Sequence, residues 1–276
     1  MAARSKVRRK VSKKNIKAQI DKYALYTQAV QSPDTDVDFL KKAYRQLRGK
    51  SAVTMREDFC GTFRLSVEWV KNNPQHRAFA VDIDPEPLDY GRQHYFDKLS
   101  PKVQSRLKIT ESNVLTSELP EADIAAALNF SYFFFKERSV LKTYFKNVFE
   151  SLKKDGLFVM DVFGGTQCTD AIEDKQKLNG FTYFWDQVSF DPVTNEALFH
   201  IHFQPKGQKK VENVFTYDWR MWSIPELRDI LAECGFKKSH IYWEGTARNG
   251  EGNGKFTRTE QGEACLSWIA YIIAEK

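Results

Sequence analysis

Apolar positions recur at two different spacings along this chain, and the switches between them predict its elements. Residues 16–30 and 37–47 carry helical spacing, with SPDTD between them supplying turn and capping chemistry. Strands and helices then alternate. Residues 51–55 read as a short strand and 63–72 as a helix; 78–83 read as a second strand, bounded by DPEP, and 87–95 as its helix. Residues 106–114 and 123–129 read as a third and a fourth strand. In 136–153, Leu141, Tyr144, Phe145, Val148, Phe149 and Leu152 fall at helical spacing, and Asp155-Gly156 offers a left-handed cap. Residues 157–163 form an apolar run broken only by Asp161, as in a strand covered on both faces. Five strand–helix repeats of this kind predict a doubly wound α/β sheet.

The period changes after that. Residues 181–190, 197–204 and 211–219 are three strand-like runs joined by DPVTNE and PKGQKK, which predicts an inserted antiparallel meander at about 181–220. A helix over 224–234 opens with Ser223, Pro225 and Glu226 and closes at Gly235. Residues 240–243 and 266–274 supply two last strands, with a polar, glycine-rich loop over 245–262. The domain reading is a tail over 1–17, a helical cover over 18–50 and a catalytic domain over 51–276.

Composition sharpens this in three places. No apolar stretch approaches the ~18 residues that span a bilayer, and MAARSKVRRK lacks the apolar core of a secretory signal. Cys60, Cys168, Cys234 and Cys265 show no paired spacing, so a reducing compartment, the cytosol, is expected. The net charge of +6 sits in the tail: residues 1–17 hold eight Lys and Arg and no acid, and removing those eight from 42 leaves 34 against 36 acids. Such a tail adds at most a weak, salt-sensitive contact with polyanions.

The first βα corner, REDFCGTFRLS, carries the candidate chemistry. At the carboxyl end of a strand in an α/β sheet, Gly61 lets backbone approach a ligand closely. Asp82 ends the next strand 21 residues later, the spacing at which a carboxylate accepts hydrogen bonds from a ribose. A dinucleotide site wants more glycines for its pyrophosphate, and the adjacent acids Glu57 and Asp58 repel phosphate. They suit an ammonium group instead. S-adenosyl-L-methionine, with a ribose, an ammonium and no phosphate, fits this chemistry, whereas a nicotinamide oxidoreductase conflicts with it.

These residues resemble a class I S-adenosylmethionine-dependent methyltransferase, of the small bacterial branch whose first motif reads EDFCGT. The resemblance runs from about Tyr23 to the end, through AVDIDPEPL, ESNVL, LKKDGLFVMD, SIPELRDILAECGF and AYIIAEK. It implies a Rossmann-like methyltransferase fold with a seven-stranded, mostly parallel sheet. It also implies a cofactor site of Glu57, Phe59, Cys60, Gly61, Thr62, Asp82, Ile83, Asn113, Val114 and Asn129, closed by Tyr23 and Tyr26 of the entry helix. Glu57 matches the acid near the methionine ammonium, Asp82 the ribose acid, Ile83 a neighbour of the adenine and Asn113 a partner of its amino group. Phe59 and Phe63 stand where the family has its outer glycines.

Asn129-Phe130-Ser131-Tyr132 follows the fourth strand and is similar, without its prolines, to the N-P-P-Y motif of amino-methyltransferases, so Asn129 and Tyr132 are the catalytic candidates. In the meander Phe181, Tyr183 and Trp185 share one strand face, and Tyr217, Trp219 and Trp222 add rings, as packing or as a substrate wall. His200 and His202 share a face too, but no third ligand stands at metal spacing. The expected activity is methyl transfer to an N or O nucleophile of a small molecule. The competing reading is a tail-guided RNA- or protein-binding module, or an RNA methyltransferase, with a degenerate cofactor site.

Overall fold

The structure is a computed structural model that describes residues 20–116, 118–247 and 252–276, so the basic tail lies outside the described residues. Two helices come first, α1 (Lys22–Val30) and the amphipathic α2 (Pro33–Arg48), the second closed by Gly49 at φ 66°. The alternating region follows as β1 (Thr54–Asp58), α3 (Arg64–Asn72), β2 (Arg77–Asp82), α4 (Pro85–His94), α5 (Pro101–Gln104), β3 (Leu107–Glu111), β4 (Ala122–Ala127), α6 (Arg138–Ser151) and β5 (Leu152–Gly164). Four strands come next: β6 (Ile172–Leu178), β7 (Phe181–Asp191), β8 (Glu196–Pro205) and β9 (Val211–Arg220). The chain closes with α7 (Ile224–Glu233), β10 (Lys238–Thr246), β11 (Gly252–Thr259) and β12 (Trp268–Glu275).

The main sheet runs β11-β10-β12-β5-β4-β1-β2-β3. Its five strands from β5 to β3 are parallel, and β12, β10 and β11 are antiparallel. The seven expected strands are present, with β11 added at one edge from within the segment expected to be a loop. Strand order reverses at β1, between β2 and β4, and that crevice is where ligands bind in open α/β sheets. Separate apolar cores pack on the two faces. Leu141, Tyr144, Phe145 and Val148 of α6 and Leu227, Ile230 and Leu231 of α7 cover one; Val37, Leu40 and Tyr44 of α2 with Trp69 and Val70 of α3 cover the other.

The insertion is a four-stranded antiparallel sheet, β6-β7-β8-β9, one strand more than the pattern predicted. The extra strand reads IEDKQKL and is exposed along most of its length, so it carries no apolar alternation. Gly156 also departs from expectation. Helix α6 ends at Leu152 in extended conformation, and Gly156 is absorbed into β5 with an ordinary φ. The capping box of α7 forms as predicted, Ser223 and Glu226 each bonding the other's backbone N–H. Among the described residues no helix is long and apolar enough to cross a membrane.

Candidate functional site

The corner after β1 has an unusual backbone. Phe59, Gly61 and Phe63 all take left-handed conformations, with φ of 57°, 52° and 49°. A bulky residue there costs of order 1–3 kcal/mol and persists only where its surroundings over-determine it. They do. Phe63 is fully buried, and its ring lies where Gly91 of α4 lacks a side chain: a Cβ on Gly91 would stand 2.5 Å from that ring. Phe59 packs edge-on against Phe135 and Tyr144, at 5.6 and 5.2 Å between centroids. The loop therefore keeps a glycine-like path, held by the rings that replace its outer glycines.

Gly61 donates its N–H to Asp82 Oδ2 at 2.7 Å, joining the ends of β1 and β2, and the space over its Cα is open. Asp82 Oδ1 accepts the N–H of Asp84, and Asp84 itself caps α4 through the N–H of Glu86. Each Asp82 oxygen keeps a lone pair for a ligand. Burial pushes the Asp82 carboxyl above its ordinary range.

Asp82 lies in a cavity of about 520 Å³ at the strand-order reversal, with Phe59, Ile83, Asn113, Val114, Asn129 and Tyr26 of the predicted set. Asp84, Ser112, Leu115, Ser131, Phe134, Phe135, Tyr217 and Trp219 complete the wall. Phe134 is 68% exposed and Ile83 64%, two apolar faces that a flat ring would cover. Phe134 was hidden within the run FFF, whose pattern does not reveal which ring faces the crevice. Among the described residues no Lys, Arg or His lines this cavity, and Asp82 and Asp84 do. A phosphate is disfavoured there, and a ribose beside a flat base fits. Asn113 Oδ1 accepts the N–H of Leu115, which fixes the amide in the cavity wall and leaves one oxygen lone pair for a ligand.

Other predicted residues lie elsewhere. Glu57 is buried behind the loop and accepts from Ser66 N–H and Oγ–H at 2.8 and 2.5 Å; desolvation lifts its carboxyl to about 8. Asp58 turns to the opposite side and is fully buried against Arg56, Nε to Oδ1 at 2.7 Å, with the Tyr144 hydroxyl donating to Oδ2. Its charge is neutralised, so phosphate exclusion rests on Asp82 and Asp84 rather than on Glu57 and Asp58 together. Cys60 is buried with its N–H on the carbonyl of Val81, burial raises its thiol well above the ordinary range, and Thr62 is buried too. Tyr23 of α1 packs on Tyr90 at 4.8 Å, outside the cavity wall.

Tyr132 is corrected more sharply. It has no exposed surface, and its hydroxyl donates to the Asp161 carbonyl at 2.7 Å, so it is a core residue. The acid that interrupted the apolar pattern of β5 organises this loop instead. Asp161 Oδ2 and Oδ1 accept the N–H groups of Asn129 and Phe130 at 2.7 and 2.8 Å, holding two consecutive left-handed residues at φ 58° and 56°. Burial raises its carboxyl to about 7. Asn129 is thereby aimed into the crevice.

A second cavity, of about 270 Å³, lies under the four-stranded sheet and shares Tyr26, Asn129, Tyr217 and Trp219 with the first. Tyr183 and Trp185 line it, whereas Phe181 packs into the small sheet's own core. Trp222 is buried outside it, donating Nε1–H to the Phe135 carbonyl. The histidine pair separates. His200 bonds Thr216, while His202 meets Glu173 and Asp186, a cluster with ligand atoms within 4.8 Å of one another. These acids come from β6 and β7, which sequence spacing could not reveal. The Asn213 N–H donates to His202 Nδ1, so the neutral ring carries its proton on Nε2, facing the acids, and Lys210 pairs with Glu173. The cluster is already supplied with donors and charge.

No family model matches the sequence, and no curated protein matches it significantly. Solved structures do match in fold. An S-adenosylmethionine-dependent methyltransferase of Clostridium acetobutylicum is 15% identical, with 91% of this chain and 96% of that one covered and a TM-score of 0.65. An amino pentose methyltransferase of Micromonospora echinaspora, solved with S-adenosylmethionine bound, is 12% identical over 92% and 95%, at 0.65. A sugar N-methyltransferase of a Streptoalloteichus species is 14% identical over 92% of each, at 0.60. The chain has the class I methyltransferase fold.

Proposed function

We propose that this protein, folded as a class I methyltransferase, uses S-adenosyl-L-methionine to methylate an N or O nucleophile of a small molecule. The observation that carries this is the pairing of two cavities through shared walls. One is acidic, with no Lys, Arg or His in its wall among the described residues, and built around Asp82, whose carboxylate accepts the Gly61 N–H at the strand-order reversal; the other is aromatic. Asp82 would hold the ribose hydroxyls, Ile83 and Phe134 the faces of the base, Asn113 its ring edge, and the open backbone of Gly61 the approach. When bound, the cofactor supplies an electrophilic methyl group on a sulfonium. The protein's own contribution is alignment and exclusion of water: Asp161 fixes Asn129 at the junction, and cofactor and acceptor packed between the rings around it would displace the solvent there. Two of the fold relatives are a sugar N-methyltransferase and a glycopeptide N-methyltransferase, which favours nitrogen. Kinship with the branch carrying EDFCGT, and a covering role for α1 and α2, belong to the same reading.

Calorimetric titration with S-adenosylmethionine, S-adenosylhomocysteine and NADH tests it. Micromolar binding of the first two alone is expected, and Asp82→Ala should abolish it while the circular-dichroism spectrum and the melting transition persist. Wild-type affinity in that variant, or preference for NADH, would overturn the assignment.

A further inference from the structure

The aromatic cavity has a chemistry of its own. Phe130, Phe163, Tyr183, Trp185, Tyr217 and Trp219 give its wall an aromatic character, and the exposed Asp174 is its single charged lining residue among the described residues. An anionic ligand would meet that carboxylate with no cation to offset it. The rings favour a flat, apolar body, or a cation over their faces.

Gln187 adds direction. It is buried in β7, and its Nε2 donates to the carbonyls of Gln167 and Asp170 at 2.9 and 2.8 Å. Both amide hydrogens are thereby used and the orientation of the amide is fixed. Its Oε1 has no protein partner among the described residues and is not sealed from solvent, so it stands as an open acceptor in the cavity wall: a ligand that covers it gains by donating and loses its hydration if it cannot.

The junction adds the third constraint. Tyr26, Asn129, Tyr217 and Trp219 line both cavities. Asn and Trp do not titrate, while burial lifts the Tyr26 hydroxyl to about 12 and that of Tyr217 well above its ordinary value. None of these four side chains accepts a proton near neutrality, so an alcohol held at the junction meets no base among them.

Resting on the methyltransferase reading above, we propose that this cavity binds a flat, uncharged heteroaromatic base that donates one hydrogen bond to Gln187 Oε1. Its ring nitrogen is the atom methylated. The nitrogen lone pair forms the new N–CH3 bond as the carbon–sulfur bond breaks. Sulfur keeps that bonding pair and becomes a neutral thioether, the nitrogen takes the positive charge, and no proton has to leave first. The cationic product sits against rings and Asp174, which tolerate it.

The test is calorimetry on the full chain near neutral pH with three probes, 3-hydroxypyridine, 3-methoxypyridine and pyridine-3-carboxylate, each with and without S-adenosylhomocysteine. The hydroxy compound should bind about fivefold more tightly than the methoxy compound, the worth of one neutral hydrogen bond, and the carboxylate most weakly. Gln187→Leu should erase the fivefold difference. Asp174→Lys, at an exposed position, should raise carboxylate affinity and needs no repacking, so the charge argument survives if the first variant misfolds. Mass spectrometry with S-adenosylmethionine present should find the N-methylpyridinium product. Equal binding of hydroxy and methoxy probes, or a preference for the carboxylate, overturns the proposal. If S-adenosylhomocysteine binds and the probes fail to rank, this inference alone falls. If they rank but neither cofactor form binds, the methyltransferase reading falls.

Discussion

Asp58 gives the sharpest division between a structural and a ligand-binding acid in this protein. Its carboxylate and the Arg56 guanidinium are both fully buried and joined by two bonds, at 2.7 and 3.1 Å. Arg56 also donates to the Pro120 carbonyl and Ser151 Oγ, and Asp58 accepts the Tyr144 hydroxyl at 2.9 Å. Asp58→Ala would leave a guanidinium buried without its counter-charge and a phenol without its acceptor. Breaking one side of a buried pair costs about 3–5 kcal/mol, and the stranded Tyr144 hydroxyl pushes toward the upper end. Urea unfolding followed by tryptophan fluorescence reads that loss. A triple variant, Arg56→Met with Asp58→Leu and Tyr144→Phe, should recover most of it, because apolar residues of similar volume replace a pair whose attraction is largely offset by desolvation. An Asp58→Ala protein with unchanged urea midpoint but no affinity for S-adenosylmethionine would refute the reasoning, since the carboxylate would then belong to the ligand.

Burial raises Glu57 to about 8, Asp161 to about 7 and Asp36 to about 6, so the folded state holds more protons than the unfolded chain from about pH 4 to 8. Stability should therefore fall as pH rises through that window, and a higher urea midpoint at about pH 8.5 than at about pH 5.5 would contradict it. Gly91→Ala would set a methyl 2.5 Å from the Phe63 ring and 2.6 Å from the Thr62 carbonyl. Overpacking of this kind costs about 1–3 kcal/mol, more than the helix-propensity gain, and a raised melting temperature would show that the loop has slack.

The order of elements was legible because each strand–helix unit buries an apolar stripe of its own period. What escaped notice lacked that stripe. Strand β6 is charged along an exposed edge, and β11, GNGKFTRT, pairs at the sheet margin with little to bury. In the site, Gly61 and Asp82 were readable because spacing along the chain mirrors adjacency of β1 and β2. Asp58 and Tyr132 were misread, since sequence does not say which side of a strand end or turn a side chain leaves by. Asp161 was visible as an acid in an apolar run, but its partners lie some thirty residues away on β4's far end.

Helix α1 lies between α4 and the four-stranded sheet. Not one of its residues is fully buried. It is tied to α4 by the Lys22–Glu86 ion pair and the Tyr90–Asp21 hydrogen bond, and to the small sheet by Tyr26 on Phe215 at 5.1 Å. Its Tyr26 borders both cavities at once. Lifting the helix would free Leu25, Tyr26 and Ala29 from the small sheet's apolar core and break one solvent-screened ion pair, and only the ion pair weakens with salt. Under the proposed function, ionic strength would therefore act on traffic past this helix and leave the chemistry behind it untouched.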